Sequence, residues 1–217
     1  MECRGFLFDL DGTLVDSLAV VERAWADWAR RRGIDPAEVL AFVHGKQAVT
    51  SLRHFMPGAG EEDIRREFEG LETAEARDTH GVVAMPGALA LLQRLERLSI
   101  PWAIVTSGTV PIAHARHRAA RLPRPAVFIT AEQVARGKPA PDAYLLGARR
   151  LGLPPAQCVV VEDAAAGIRS GLAAGCRVIA VNTPADTPEL ARVDGVLHSL
   201  AQIDVGSNGR GAIVSVA

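Results

Sequence analysis

Lysine is almost missing from this chain. Of 24 basic residues only Lys46 and Lys138 are lysines, which marks those two positions as places where a compact ammonium suits better than a planar guanidinium fork. Net charge is equally scarce: 24 basic against 25 acidic residues leave −1, which argues against a nucleic-acid binder, whose affinity rests on a basic surface. The one tight basic run, Arg30-Arg31-Arg32, reads as the solvated last turn of a helix near its negative dipole end. Long apolar runs are missing as well. None approaches the roughly 20 residues needed to cross a bilayer, so no membrane partner is expected, and the N-terminus enters its first apolar run without a signal-peptide pattern. Cysteine is limited to Cys3, Cys158 and Cys176; odd in number and far apart, they are expected to be buried thiols of a cytoplasmic protein rather than disulfides.

What is present is apolar and alternating. With 217 residues and 48% apolar content, the chain is long enough for one large domain, or one domain plus a small insertion, around a real core. Buried parallel strands read as continuous apolar runs, and five occur at about 4–9, 102–106, 126–130, 158–162 and 177–181. Helical stretches at about 87–98, 110–120, 141–151 and 164–174 separate the later ones. That is the βαβ rhythm of a doubly wound α/β sheet.

The rhythm is interrupted early. Between Ser17 and Met85 only helical periodicity is visible: Val21, Trp25 and Trp28 share a face, and Gly33 stands where a C-cap belongs. Further helices are expected at about 47–56 and 61–78, parted by Met56-Pro57-Gly58. The expected organisation is a catalytic core of residues 1–16 and 84–217 with an all-helical cap, 17–83, inserted after the first strand. Val15-Asp16-Ser17 and Gly81-Val82-Val83 would be its hinges, and the tail after Ile203 is expected to be peripheral.

The chemistry collects at strand ends. Phe6-Leu7-Phe8 runs into Asp9-Leu10-Asp11-Gly12, placing two carboxylates at the edge where open α/β sheets bind ligands. Like charges buried together need a cation or a proton. Trp102-Ala103-Ile104-Val105 runs into Thr106-Ser107-Gly108, Gly137-Lys138-Pro139 precedes a helix, and Cys158-Val159-Val160-Val161 runs into Glu162-Asp163. Phosphate-ester cleavage needs a nucleophile, charge neutralisation and a proton for the leaving alkoxide. Asp9 suits the nucleophile, since a carboxylate can form an aspartyl-phosphate. Asp11 suits the acid–base. Thr106 and Ser107 can donate to phosphoryl oxygens.

Together these four segments resemble the four motifs of the haloacid dehalogenase superfamily of phosphohydrolases, in its subgroup with a small helical cap, like β-phosphoglucomutase. The resemblance spans about Cys3 to Leu200. It implies a Rossmann-like core and a Mg²⁺ ion held by Asp9, a Leu10 or Asp11 main-chain carbonyl and Asp163, with Glu162 behind them or ligating directly. It also implies Lys138 as the cation that neutralises nucleophile and phosphoryl group. Magnesium's preference for oxygen ligands and retained waters suits that set. His44, Gly45 and Lys46 fall where the resemblance puts a substrate-specificity loop, reaching the leaving group when the cap closes. The expected activity is a Mg²⁺-dependent phosphatase of small sugar phosphates or sugar-alcohol (hexitol) phosphates, acting as a monomer. Two alternatives stay open: a β-phosphoglucomutase-type mutase, which shares this cap and all four motifs, and a phosphonoacetaldehyde-type hydrolase with a cap lysine as Schiff-base nucleophile. A non-enzymatic binding protein is disfavoured because every motif acid is in place.

Overall fold

The computed structural model describes residues 1–43, 47–207, 209 and 211–216. In chain order the elements begin with β1 (Glu2–Cys3), β2 (Gly5–Phe8) and β3 (Val15–Asp16), followed by helices α1 (Leu18–Arg32), α2 (Pro36–Val43), α3 (Ala48–Phe55) and α4 (Glu61–Arg77). Then come β4 (Val83–Ala84), α5 (Ala88–Arg97), β5 (Trp102–Val105), α6 (Val110–Ala119), β6 (Val127–Ile129) and α7 (Asp142–Arg150). The chain closes with β7 (Cys158–Glu162), α8 (Ala165–Ala173), β8 (Arg177–Val181), β9 (Gly195–Leu197), β10 (Ile203–Ser207) and β11 (Ala212–Val216).

Six strands form one parallel sheet in the order β6-β5-β2-β7-β8-β9. Alternate residues of these strands serve opposite faces. Phe6, Phe8, Ile104, Val159, Val161 and Ile179 join Leu91, Leu92 and Leu95 of α5 on one side. Leu7, Ala103, Val105, Val160 and Val178 join Tyr144 of α7 and Ile168 of α8 on the other. The strands carry apolar residues on both faces because both are covered, which is why they read as unbroken runs. From β2 the chain builds first toward β5 and β6 and later toward β7, β8 and β9. The order therefore reverses at β2, and the cleft beyond its carboxyl end is the place where such sheets take a ligand.

Helices α1–α4 enclose a separate apolar core of Trp25, Trp28, Val39, Leu52, Ile64 and Leu71. α1 ends as its sequence demands: Gly33 takes φ 69° and its N–H caps the carbonyls of Ala29 and Arg30. Acidic Glu61, Glu62 and Asp63 open α4 and Arg77 closes it, both favourable to the helix dipole. The chain enters and leaves this helical segment through a short antiparallel pair, β3 with β4, that matches Asp16 with Val83. α4 packs back against α6.

Several elements lie outside the sequence expectation, among them the two-residue strands β1, β3 and β4, the last of which falls in a stretch expected to be helical only. α2 is only two turns long, and β9 is a three-residue edge strand. The tail is not peripheral: β10 and β11 pair with each other and with β1, burying Val205, Ala212 and Val214 in the principal core. The reason is a short alternating pattern, Ile203-Asp204-Val205 and Ala212-Ile213-Val214, that puts every second side chain inward. Arg94 of α5 fastens this hairpin by donating to the Val205 carbonyl at 2.9 Å.

Candidate active site

Asp9 follows β2 directly, its N–H bonded to the Val161 carbonyl at 3.0 Å. The residue is buried, at 8% exposure. Lys138 supplies the counter-charge. Its Nζ donates to Asp9 Oδ1 at 2.6 Å, to Glu162 Oε1 at 2.6 Å and to the Val105 carbonyl at 2.9 Å, so all three ammonium protons are placed. The residue is itself buried, and the Lys138–Pro139 peptide is cis. Burial opposes its charge, but the Asp9 and Glu162 carboxylates outweigh burial and hold the ammonium above its ordinary value.

Glu162, at the end of β7, is 1% exposed and fully occupied. Oε1 accepts from Lys138 and from the Tyr144 hydroxyl at 3.0 Å, while Oε2 accepts the Asp163 and Ala164 N–H groups, each at 3.0 Å. The last two bonds fix the turn between β7 and α8. Gly167 permits this closeness: a Cβ there would lie 1.5 Å from Glu162 Oε1. Asp163 accepts from Thr13 Oγ1 at 3.0 Å. Gly12, at φ +86°, brings the loop against it, and a Cβ on Gly12 would lie 2.1 Å from Asp163 Oδ2.

Asp9, Glu162 and Asp163 could each place one oxygen within 4.8 Å of the others. Three carboxylates face one ammonium, leaving two negative charges, so this donor set fits a divalent cation. Glu162 has its acceptor positions taken by protein donors, which leaves Asp9 and Asp163 with oxygen to offer. The electrostatics agree. Burial, partly offset by Lys138, holds the Asp9 carboxyl well above the carboxylate range, and burial with the Glu162 charge pushes Asp163 up to about 7. Such groups want either a proton or a metal.

The Asp11 side chain is turned elsewhere. Its Oδ1 meets Arg116 Nη1 at 2.9 Å and accepts from Ser17 Oγ at 2.7 Å. Thr106, buried at the end of β5, accepts the Gly108 N–H at Oγ1, 3.0 Å away, and keeps its own proton to donate. A Cβ on Gly108 would lie 3.3 Å from Thr106 Oγ1 and 3.9 Å from Asp11 Oδ2, so groups from both strand ends come near this glycine. Ser107 is exposed. At the start of α6, the Val110 N–H is spent on Glu132 Oε1 at 2.8 Å.

A family model for haloacid dehalogenase-like hydrolases matches residues 3–175. The chain belongs to the haloacid dehalogenase-like hydrolases. It is an enzyme, and several of its relatives carry phosphatase or phosphohydrolase names. Hexitol phosphatase A of Escherichia coli (strain K12) is 66% identical over 99% of both chains. Glycerol-1-phosphate phosphohydrolase 1 of Saccharomyces cerevisiae is 35% identical over 83% of this chain and 75% of its own. Among solved structures, CbbY of Rhodobacter sphaeroides in complex with xylulose-(1,5)bisphosphate gives a TM-score of 0.72 at 26% identity, covering 92% of this chain and 96% of that one.

Of the residues singled out in the sequence of this family member, Asp9, Lys138, Glu162 and Asp163 form one cluster, with Thr106 and Asp11 near a neighbouring glycine, Gly108. The Asp11 carboxylate is not part of the acidic cluster. His44, Gly45 and Lys46 lie outside the described residues. Four participants escaped the sequence reading: Thr13, Tyr144, Arg116 and Glu75. Tyr144 is the one tyrosine in the chain, and it is fully buried. Arg116 carried a visible signal, because it shares the inward face of α6 with Ile112 and Ala113. A charge at a core position needs a partner.

Proposed function

We propose that this enzyme is a Mg²⁺-dependent phosphatase of small sugar phosphates or hexitol phosphates, working through an aspartyl-phosphate. The observation that carries the chemistry is Asp9, buried and held by Lys138 in a cluster two positive charges short of neutrality. The substrate class rests on the polyol and sugar phosphatases that the chain resembles along its length. Asp9 attacks phosphorus through the oxygen not engaged by Lys138, forming the acyl-phosphate bond as the ester oxygen departs. Asp11 gives that oxygen its proton, then takes one from the water that cleaves the intermediate, a role worth typically ~10²–10⁴-fold in rate. The Lys138 ammonium and the Thr106 hydroxyl stabilise the phosphoryl charge, with Ser107 in support. Mg²⁺, held by Asp9 and Asp163 with Glu162 behind them, would screen carboxylate from phosphoryl oxygens.

Helices α1–α4 act as a cap, which we place at residues 17–83 over a core of 1–16 and 84–217. The β3–β4 pair is its hinge, and closure would exclude water from the acyl-phosphate. His44, Gly45 and Lys46, between α2 and α3, are assigned to the leaving-group side of the substrate. If Lys46 contacts the sugar, Lys46→Ala changes kcat/KM unequally across substrates; an unchanged kcat/KM removes it from the site.

The deciding experiment is phosphate release from a panel of phosphosugars and phosphohexitols, with and without Mg²⁺, for wild type and Asp9→Asn. Metal-dependent release abolished by the substitution is the expected result. Release independent of metal, or retained by Asp9→Asn, would refute the mechanism.

A further inference from the structure

Arg116 is buried at 5% exposure in α6 and meets two carboxylates from separate parts of the chain. Nη1 meets Asp11 Oδ1 at 2.9 Å, and Nη2 donates to Glu75 Oε2 at 2.5 Å. Its Nε has no acceptor among the described residues, so the orientation of the guanidinium is set by those two acids alone. Glu75 belongs to α4, the last helix of the cap segment, and it too is buried. Burial moves its carboxyl upward against the pull of Arg116. A buried cation shared by a buried acid, Glu75, and a half-buried one, Asp11, is ordered by all three groups together, and removing one leaves the others uncompensated.

The Asp11 end is equally constrained. Oδ1 also accepts from Ser17, the residue immediately before α1. Both of its contacts therefore lead to the cap segment, Ser17 at its entrance and Arg116 through Glu75 close to its exit. With Oδ1 occupied, Oδ2 is the oxygen left to face a substrate, and it lies on the Gly108 side, 3.9 Å from where a Cβ on that glycine would stand.

We infer that Arg116 and Glu75 are positioning residues for Asp11, so that the cap helix α4 sets the orientation of the acid–base group across the domain boundary. This rests on the phosphatase reading, in which Asp11 protonates the leaving alkoxide. The consequence is selective. An alkyl ester such as a hexitol phosphate cannot expel its oxygen without that proton, whereas p-nitrophenyl phosphate releases a stable phenolate unaided. For both substrates kcat/KM reports the steps up to the first irreversible one, transfer of the phosphoryl group to Asp9.

The test is kcat/KM for a hexitol phosphate and for p-nitrophenyl phosphate in Glu75→Gln and Arg116→Lys, with thermal melts alongside. Glu75→Gln keeps shape and an amide oxygen for Arg116, and Arg116→Lys keeps charge but cannot span both acids. A loss of about tenfold or more on the hexitol ester, with less than about threefold on the nitrophenyl ester, is expected from a misplaced general acid. Equal losses on both substrates would assign the pair a purely structural role and overturn the inference, as would unchanged kinetics. Failure of the phosphatase reading looks different: wild type would hydrolyse neither ester in the presence of Mg²⁺, and the inference would fall with it.

Discussion

Replacing Lys138 by methionine removes the cation from the centre of the acidic cluster while keeping an unbranched chain of similar length. The ammonium sits 2.6 Å from both Asp9 and Glu162, beyond the reach of bulk water. Breaking a buried pair by deleting one partner costs about 3–5 kcal/mol, because the remaining charge is uncompensated. A domain of 150–250 residues loses about 2–4 °C of melting temperature per kcal/mol. The Lys138→Met melting temperature should therefore fall by about 6–20 °C, and phosphatase activity should vanish with it. The deficit also has a pH signature. Asp9 is already raised by burial, with Lys138 the main opposing influence, so its loss raises the carboxyl further. An acid whose pKa is higher folded than unfolded binds its proton more tightly in the folded state, and stability is lost as pH rises through the interval between the two values. The variant should thus be least impaired in mild acid and most impaired in mild alkali. Thermal melts by circular dichroism across that range would check it. A variant melting with wild type, or an impairment growing toward acid, would refute the electrostatic account of the cluster.

Three further outcomes follow from the same structure. The Asp163 carboxyl, pushed up to about 7, lies above its unfolded value near 3.8, so metal-free protein should lose stability as pH rises from about 4 to about 7. Added Mg²⁺ should accordingly raise the melting temperature more near neutrality than near pH 5, as melts with and without the ion would show. Trp28 is fully buried in the α1–α4 core, its Nε1–H bonded to Glu67 at 2.8 Å; Trp28→Ala should cost about 3–5 kcal/mol in urea denaturation. Burial pushes the thiols of Cys3 and Cys158 up to about 11 and that of Cys176 to about 12. Native protein should therefore resist a thiol reagent that labels all three once it is unfolded, as mass spectrometry would report.

What was legible in the sequence follows from how each feature is encoded. β2, β5, β7 and β8 are buried on both faces, so they appear as unbroken apolar runs, and each of their polar ends marks the sheet edge. Asp9, Thr106, Glu162 and Asp163 stand out on that basis, and Lys138 by the resemblance of the Gly137-Lys138-Pro139 segment to a family motif together with the rarity of lysine in the chain. The β10–β11 hairpin was missed because its signal is two short alternating patterns near a Gly- and Ser-containing stretch. Thr13, Tyr144, Arg116 and Glu75 were missed for another reason. Their roles exist only in pairs remote in sequence: Thr13 with Asp163, Tyr144 with Glu162, Arg116 with Glu75. The charge of Arg116 on a buried helix face announces that a partner exists, but only the packing of α4 against α6 says which.

The central claim is that Asp9 becomes phosphorylated. Acid quenching of the enzyme within its first turnover of a hexitol phosphate and Mg²⁺, followed by peptide mass spectrometry, tests it most directly. The account predicts a phosphoryl group on the peptide carrying Asp9, transient in wild type and absent from Asp9→Asn. Turnover without any acyl-phosphate, or a phosphoryl group on a different residue, would contradict it.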